Sequence, residues 1–293
     1  MKRFRGIFPA LLTPFTVGGD IHHDALRALV RLNLSKGVAG FYVGGSTAEA
    51  FLLSPDERKA VLETVADEVA GRATIIAHIG CIGLSHALDL ARHAKANGAD
   101  AMSSIPPFYY GFSWDEIRAY YFDLVDAVDL PMLVYNFPAN SGVKLTVENV
   151  SVFLNDPRFL GVKHTSSDYF MLERFKSIRD NVIVYNGFDE MFLAGVASGA
   201  DGGIGSTYNF MAEKFVRIMA LAEAGRLEEA RTVQRQANNI IAELVRVGVM
   251  PGEKAALQMM GIDMGDCRKP FRALTEADRV SLAAVLRANG CEV

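Results

Sequence analysis

Eight times along the chain a short run rich in apolar and β-branched residues gives way to a longer amphipathic stretch, and this alternation confines the fold more than any other feature. The runs fall at 6–13, 40–45, 74–80, 99–106, 131–137, 159–165, 181–187 and 201–206. Several, such as Met132-Leu133-Val134 and Val182-Ile183-Val184, are apolar at successive positions, as expected of parallel strands buried on both faces. Eight βα units favour a closed (β/α)8 barrel over an open, doubly wound sheet, and 293 residues suit one such barrel with a short extension. Ser54-Pro55-Asp56-Glu57 places a capping serine, a proline at the first helical position and a glutamate at the third, which predicts a helix start.

Beyond about Thr207 the pattern is helical only, at 212–224, 227–247, 253–260 and 276–288, with breaks at Gly225, Pro251-Gly252 and Lys269-Pro270. The first of these helices closes the barrel. The other three predict a C-terminal helical extension, and since no flexible linker precedes them, they are expected to pack on the barrel. The expected division is thus a catalytic barrel over 1–225 and an extension over 226–293.

Composition sets limits on partners. Half of the residues are hydrophobic and 22% are charged, enough for a sizeable core and unlike a disordered chain. Thirty Lys and Arg against 34 Asp and Glu leave a net charge of −4 with no basic block, which argues against nucleic acid or an anionic membrane as partner. The apolar run within residues 1–14 is interrupted by Pro9 and Pro14 and has no cleavage pattern, so it reads as the entry to the first strand rather than a leader. No apolar stretch reaches the ~20 residues that span a bilayer. Cys81, Cys267 and Cys291 are widely spaced, which fits reduced thiols in a cytoplasm. The six histidines form no H-x-H or H-E-x-x-H grouping, so a zinc-dependent mechanism is disfavoured. Neither a G-x-S-x-G elbow nor a G-x-G-x-x-G turn is present.

In a barrel of this kind the chemistry sits at the carboxyl ends of the strands. Lys163 is the residue there that stands out by type, because lysine is rarely buried without a reason. Alternation puts Lys163 and Thr165 on one face of the sixth strand, and Val162 and His164 on the other. An amine withdrawn from water favours its neutral form and can attack a carbonyl; the alternative is a lysine that reaches out to solvent or pairs with a carboxylate. Tyr135, near the end of the neighbouring fifth strand, is either a proton relay or a buried tyrosine with a satisfied hydroxyl. Gly44-Gly45-Ser46-Thr47-Ala48-Glu49 is either a carboxylate cradle or simply a tight strand-to-helix turn. Asp189 and Glu190 either accept hydrogen bonds from a polyol or complement the dipole of a helix start. The glycines after strands seven and eight leave a phosphate site open as a further alternative.

Taken together, 44–51, Phe108-Tyr109-Tyr110, Tyr135-Asn136-Phe137-Pro138, Gly161-Val162-Lys163 and 185–208 resemble the N-acetylneuraminate lyase and dihydrodipicolinate synthase superfamily, in order and over nearly the whole chain. The resemblance implies a metal-independent, cofactor-free pyruvate aldolase. In it Lys163 forms the imine, Tyr135 transfers protons, Ser46 and Thr47 hold the pyruvate carboxylate, and Tyr109 lies near the site and reaches a neighbouring subunit of a homotetramer. Where the synthase branch usually carries an arginine, Asn140 stands in Pro138-Ala139-Asn140. Thr165, Gly187, Asp189, Glu190 and Ser206 match positions that contact the hydroxyl chain in the lyase branch, which implies reversible cleavage of a sialic acid, N-acetylneuraminate, to N-acetylmannosamine and pyruvate. The rivals are an aldolase for another 2-keto-3-deoxy acid, a synthase taking aspartate semialdehyde, and a barrel that binds without catalysing. Ala48 departs from the glycine common in this branch, and a positive φ there would disturb the turn.

Overall fold

In the computed structural model, residues 4–293 are described; residues 1–3, which belong to the segment read as the entry to the first strand, lie outside them. Eight parallel strands form the barrel: β1 (Gly6–Pro9), β2 (Gly40–Val43), β3 (Thr74–His78), β4 (Ala101–Ser104), β5 (Met132–Asn136), β6 (Phe159–His164), β7 (Ile183–Asn186) and β8 (Gly202–Gly205). They pair in the order β1-β8-β7-β6-β5-β4-β3-β2. The ring closes between β1 and β2, where Leu11 N–H donates to the Tyr42 carbonyl and Ala39 N–H to the Ile7 carbonyl, each at 2.9 Å. The barrel expected from the alternation is therefore present. The strands are shorter than the apolar runs, because the last residues of each run leave the ladder to form the loops at the carboxyl end.

The helices that cover the strands are α1 (His23–Ser35), α2 (Pro55–Val69), α3 (Leu84–Ala96), α4 (Trp114–Ala127), the single turn α5 (Pro138–Ser141), α6 (Val147–Leu154), α7 (Tyr169–Lys176), α8 (Phe192–Ala197) and α9 (Tyr208–Glu223). Then follow α10 (Leu227–Val247), α11 (Val249–Met259) and α12 (Glu276–Ala288). The predicted capping box forms: Ser54 Oγ accepts from Glu57 N–H and the Glu57 carboxylate accepts from Ser54 N–H.

Strand alternation sorts the apolar residues into two cores. Phe41, Val43, Val134 and Val162 face the helices, whereas Phe8, Tyr42, Ile76, Leu133, Tyr135, Tyr185 and Ile204 fill the barrel interior. The β5–β6 register sets Tyr135 beside Lys163 and Asn136 beside His164.

Two helix starts differ from the expectation. α9 begins at Tyr208 rather than 212, with non-helical angles at Met211, because the Asn209 amide straps its first turn to the barrel. That amide donates to the Ala10 and Ser206 carbonyls, both at 2.7 Å, and accepts from Leu12 N–H at 3.1 Å. α11 begins at Val249 and runs through Pro251-Gly252, where the sequence predicts a break. Proline is tolerated in a first turn, where its missing N–H has no intrahelical partner to lose. The C-terminal helices are tied to the barrel by a buried ion pair between Lys254 of α11 and Glu49, at 2.8 Å, and by Arg268, which bonds the Glu57 carboxylate and the Leu52 carbonyl.

Candidate active site

A cavity of about 430 Å³ opens at the carboxyl end of the barrel. Its walls include Ser46, Thr47, Tyr135, Lys163, Thr165, Gly187, Asp189, Glu190 and Ser206, so the fold gathers every residue singled out from sequence except Tyr109. Tyr109 lies outside it, 85% exposed, with a φ of 78° and its ring against Tyr110.

Lys163 comes off β6 into the barrel and is only 5% exposed. Among the described residues it forms no ion pair and no hydrogen bond. Its amine lies 4.0 Å from the centre of the Tyr135 ring and 4.4 Å from that of Tyr42. Thus the alternative in which this lysine pairs with a carboxylate or reaches the surface does not describe the molecule. His164 takes the opposite face, as alternation requires, and packs against Phe175 of α7. Its Nε2 lies 3.0 Å from the Asp168 carbonyl and so carries the hydrogen, leaving Nδ1 to accept from the Asn136 amide at 2.9 Å. Burial holds His164 below the usual imidazole range, consistent with that neutral form.

Two close approaches shape the wall opposite. A side chain at Gly187 would strike Thr165 Oγ1, and one at Gly205 would strike Asp189 Oδ1, at 1.9 and 1.7 Å from the added carbon. Only glycine lets the Thr165 hydroxyl and the Asp189 carboxyl sit where they do. Thr165 Oγ1 and Asp189 Oδ1 are buried and have no hydrogen-bond partner among the described residues. Asp189 Oδ2 accepts from Thr207 N–H at 2.9 Å and the Thr207 hydroxyl at 2.7 Å. Desolvation nevertheless pushes Asp189 up to about 6, outweighing those hydrogen bonds. Glu190, next in sequence, is exposed at the rim.

The turn after β2 is braced from several sides. Ser46–Ala48 form one 3-10 turn, and Glu49 follows in the left-handed region at φ 59°. Positive φ thus falls on Gly44 and Glu49, not on Ala48, so alanine costs the turn nothing at that position. Glu49 is held in its strained geometry by Lys254 and by Arg268 N–H, which donates to it at 2.7 Å. His78 donates from Nδ1 to the Gly44 carbonyl at 3.0 Å and accepts at Nε2 from Ile105 N–H at 3.3 Å. Burial keeps His78 neutral, well below its ordinary range.

Several residues of the site were not marked by the sequence: Tyr42, packed against the lysine, and in the cavity wall Thr207 beside Asp189, and Ile241, Val245, Val249 and Met250 from α10 and α11. Tyr42 reads as one more apolar strand residue; the helix residues belong to elements far away in the chain. Their only available signal was the apolar face of α10. Among the described residues no three of His, Cys, Asp and Glu converge as a metal site would require.

The closed sheet, with a buried lysine at the carboxyl end of its sixth strand, places the molecule among (β/α)8 barrels that present an amine to a cavity at that end. The comparisons narrow this further. Residues 3–289 match the dihydrodipicolinate synthetase family, and the chain belongs to that family. It is 49% identical over 280 residues to the N-acetylneuraminate lyase of Rhizobium meliloti (strain 1021), covering 96% of this chain and 93% of that protein. Among solved structures, the Clostridium difficile protein CdNal, in complex with mannosamine, matches with a TM-score of 0.95 at 34% identity, covering 98% of this chain and 99% of that one. The Ruminococcus gnavus sialic acid aldolase matches with a TM-score of 0.95 at 32% identity, over 98% of this chain and 97% of that one.

Proposed function

We propose that the protein reversibly cleaves N-acetylneuraminate to N-acetylmannosamine and pyruvate through an imine on Lys163. The single observation that carries the reading is the Lys163 amine, buried in the cavity floor between two tyrosine rings and without a carboxylate partner. Such an amine adds to the C2 ketone and expels water, and the protonated imine then accepts the electron pair released as C3–C4 breaks. Tyr135, aided by the substrate carboxylate, takes the proton of the C4 hydroxyl as the aldehyde forms. Protonation of the enamine at C3 and hydrolysis of the imine return the amine and release pyruvate. This sequence calls on no metal and no organic cofactor.

Ser46 and Thr47 supply hydroxyls and backbone N–H groups for the pyruvate carboxylate, within the turn braced by Glu49 and His78. Thr165, Gly187, Asp189, Glu190 and Ser206 receive the hydroxyl chain, whose hydrogens suit the unpartnered oxygens of Thr165 and Asp189. Among the described residues Lys163 is the only cationic side chain lining this cavity, and Asn140 offers no guanidinium. That composition favours a neutral polyol aldehyde over the carboxylate-bearing one of a synthase. Tyr109, exposed beside Tyr110, fits a contact with another subunit of a homotetramer. A cytoplasmic location fits the three free thiols and the lack, among the described residues, of any helix long and apolar enough to cross a membrane.

The test is borohydride reduction in the presence of pyruvate, combined with pyruvate release from N-acetylneuraminate and from a panel of other 2-keto-3-deoxy acids. Wild type is expected to gain a covalent adduct on Lys163 and to prefer the sialic acid, and Lys163→Ala is expected to lose both adduct and turnover. Turnover by Lys163→Ala at the wild-type rate would overturn the assignment.

A further inference from the structure

A second carboxyl group lies behind the cavity wall, with no part in the chemistry above. Glu253 is fully buried on α11, and neither of its carboxyl oxygens completes a hydrogen bond among the described residues. A buried polar group left in that state destabilises the fold, so its presence calls for a reason. The helix geometry supplies one. Met250, three residues earlier and therefore on the same helix face, lines the cavity beside Ser206. Gly252 lets α11 press against α10, since a side chain there would come within 2.7 Å of Leu244. Glu253 is thereby driven inward one turn below Met250, and the polar side chain that it meets is Ser206, just past the end of β8.

We propose that Glu253 is a positioning residue for the hydroxyl chain of the substrate: it donates a hydrogen bond to Ser206 and so directs the Ser206 hydroxyl hydrogen into the cavity. The inference deepens the functional reading above and rests on it. Its chemistry is a matter of direction. A protonated carboxyl donates to Ser206 Oγ, leaving the serine's own hydrogen for a substrate oxygen; an ionised one can only accept, and draws that hydrogen away. Desolvation, reinforced by Asp189 across from it and opposed by Ser206, pushes Glu253 up to about 8, so the donating form prevails at neutral pH. Cys267, itself pushed up to about 12 by burial, interacts with Glu253 and with the Lys254–Glu49 pair. Burial pushes Asp189 up only to about 6, below the range to which it pushes Glu253.

The experiment measures KM and kcat for N-acetylneuraminate against pH in wild type, Glu253→Gln and Glu253→Leu, with borohydride trapping of pyruvate in all three. Wild-type KM is expected to rise roughly tenfold per pH unit above the Glu253 transition, as one essential proton is lost. Glu253→Gln, which keeps an N–H donor but cannot ionise, is expected to stay within about threefold of wild-type KM at neutral pH and to lack the alkaline rise. Glu253→Leu is expected to raise KM about tenfold at every pH, with kcat changed by less than about threefold. Trapping is expected to be equal in all three. An alkaline rise that persists in Glu253→Gln, or a wild-type KM in Glu253→Leu, overturns the proposal while leaving the functional reading intact. Absence of trapping or of sialic acid turnover in wild type overturns both.

Discussion

The rings of Tyr135 and Tyr42 bracket the Lys163 amine while every carboxylate stays beyond ion-pair distance, so the amine is held by shape rather than by charge. This leaves Tyr135 free for the proton step: its hydroxyl has no hydrogen-bond partner among the described residues, whereas the Tyr42 hydroxyl is engaged with Ser103 Oγ at 3.0 Å. Burial also holds the Tyr42 phenol well above its ordinary range, which makes it a wall rather than an acid. Tyr135→Phe is accordingly expected to lower kcat by about 10²-fold or more, the scale of positioned acid–base catalysis, with KM little changed; steady-state pyruvate release measures both. At this scale Lys163 was legible because its type is foreign to a buried strand. Tyr42 was not, since an aromatic in such a strand is ordinary.

Helix α11 does more than extend the barrel. Lys254 reaches 2.8 Å from Glu49, both side chains fully out of water, and Glu49 closes the turn that presents Ser46 and Thr47. Removing one member of a buried ion pair strands the other. Lys254→Met is therefore expected to lower stability by about 3–5 kcal/mol, read from urea unfolding. The same variant is expected to raise the pyruvate concentration needed for half-maximal trapping at Lys163, since the turn loses its brace; trapping at wild-type pyruvate concentrations would show that the turn holds its shape unaided. None of this could be read along the chain, because Glu49 and Lys254 come from elements far apart in sequence and only the packing of α11 on the barrel brings them together. The α11 start was hidden for another reason: Pro251-Gly252 is a strong turn signal, and it was overridden by the first-turn tolerance for proline and by close packing on Leu244.

For the molecule as a whole, the buried acids make stability depend on pH with a definite sign. Burial raises Glu253 from 4.5 to about 8 and Asp189 from 3.8 to about 6, so across those ranges the folded chain holds protons that the unfolded chain has released. Stability is then expected to fall as pH rises, with the Glu253 contribution to that loss complete once pH exceeds about 8. Glu57 and Asp278, lowered to about 2 by hydrogen bonds from arginine and from threonine, act in the opposite sense in acid, although solvent screens these surface pairs. The urea midpoint of Glu253→Gln, compared with wild type, should show a gain that grows from pH ~5 to pH ~8; a gain that does not vary with pH would refute the linkage. Sedimentation equilibrium is expected to show four chains of 31.9 kDa, and Tyr109→Ala to shift the assembly toward smaller species; a monomeric wild type would remove Tyr109 from any subunit contact.

Sequence by itself determined the eight-fold βα alternation, the strand faces and the odd lysine among them, because strand periodicity and residue polarity are local properties. Only the tertiary structure decided that Thr165 and Asp189 stand in space cleared by Gly187 and Gly205, that α10 and α11 complete the cavity, and that Glu253 is buried behind Ser206. These facts depend on distances between segments far apart in the chain, and closure of the barrel is what fixes those distances.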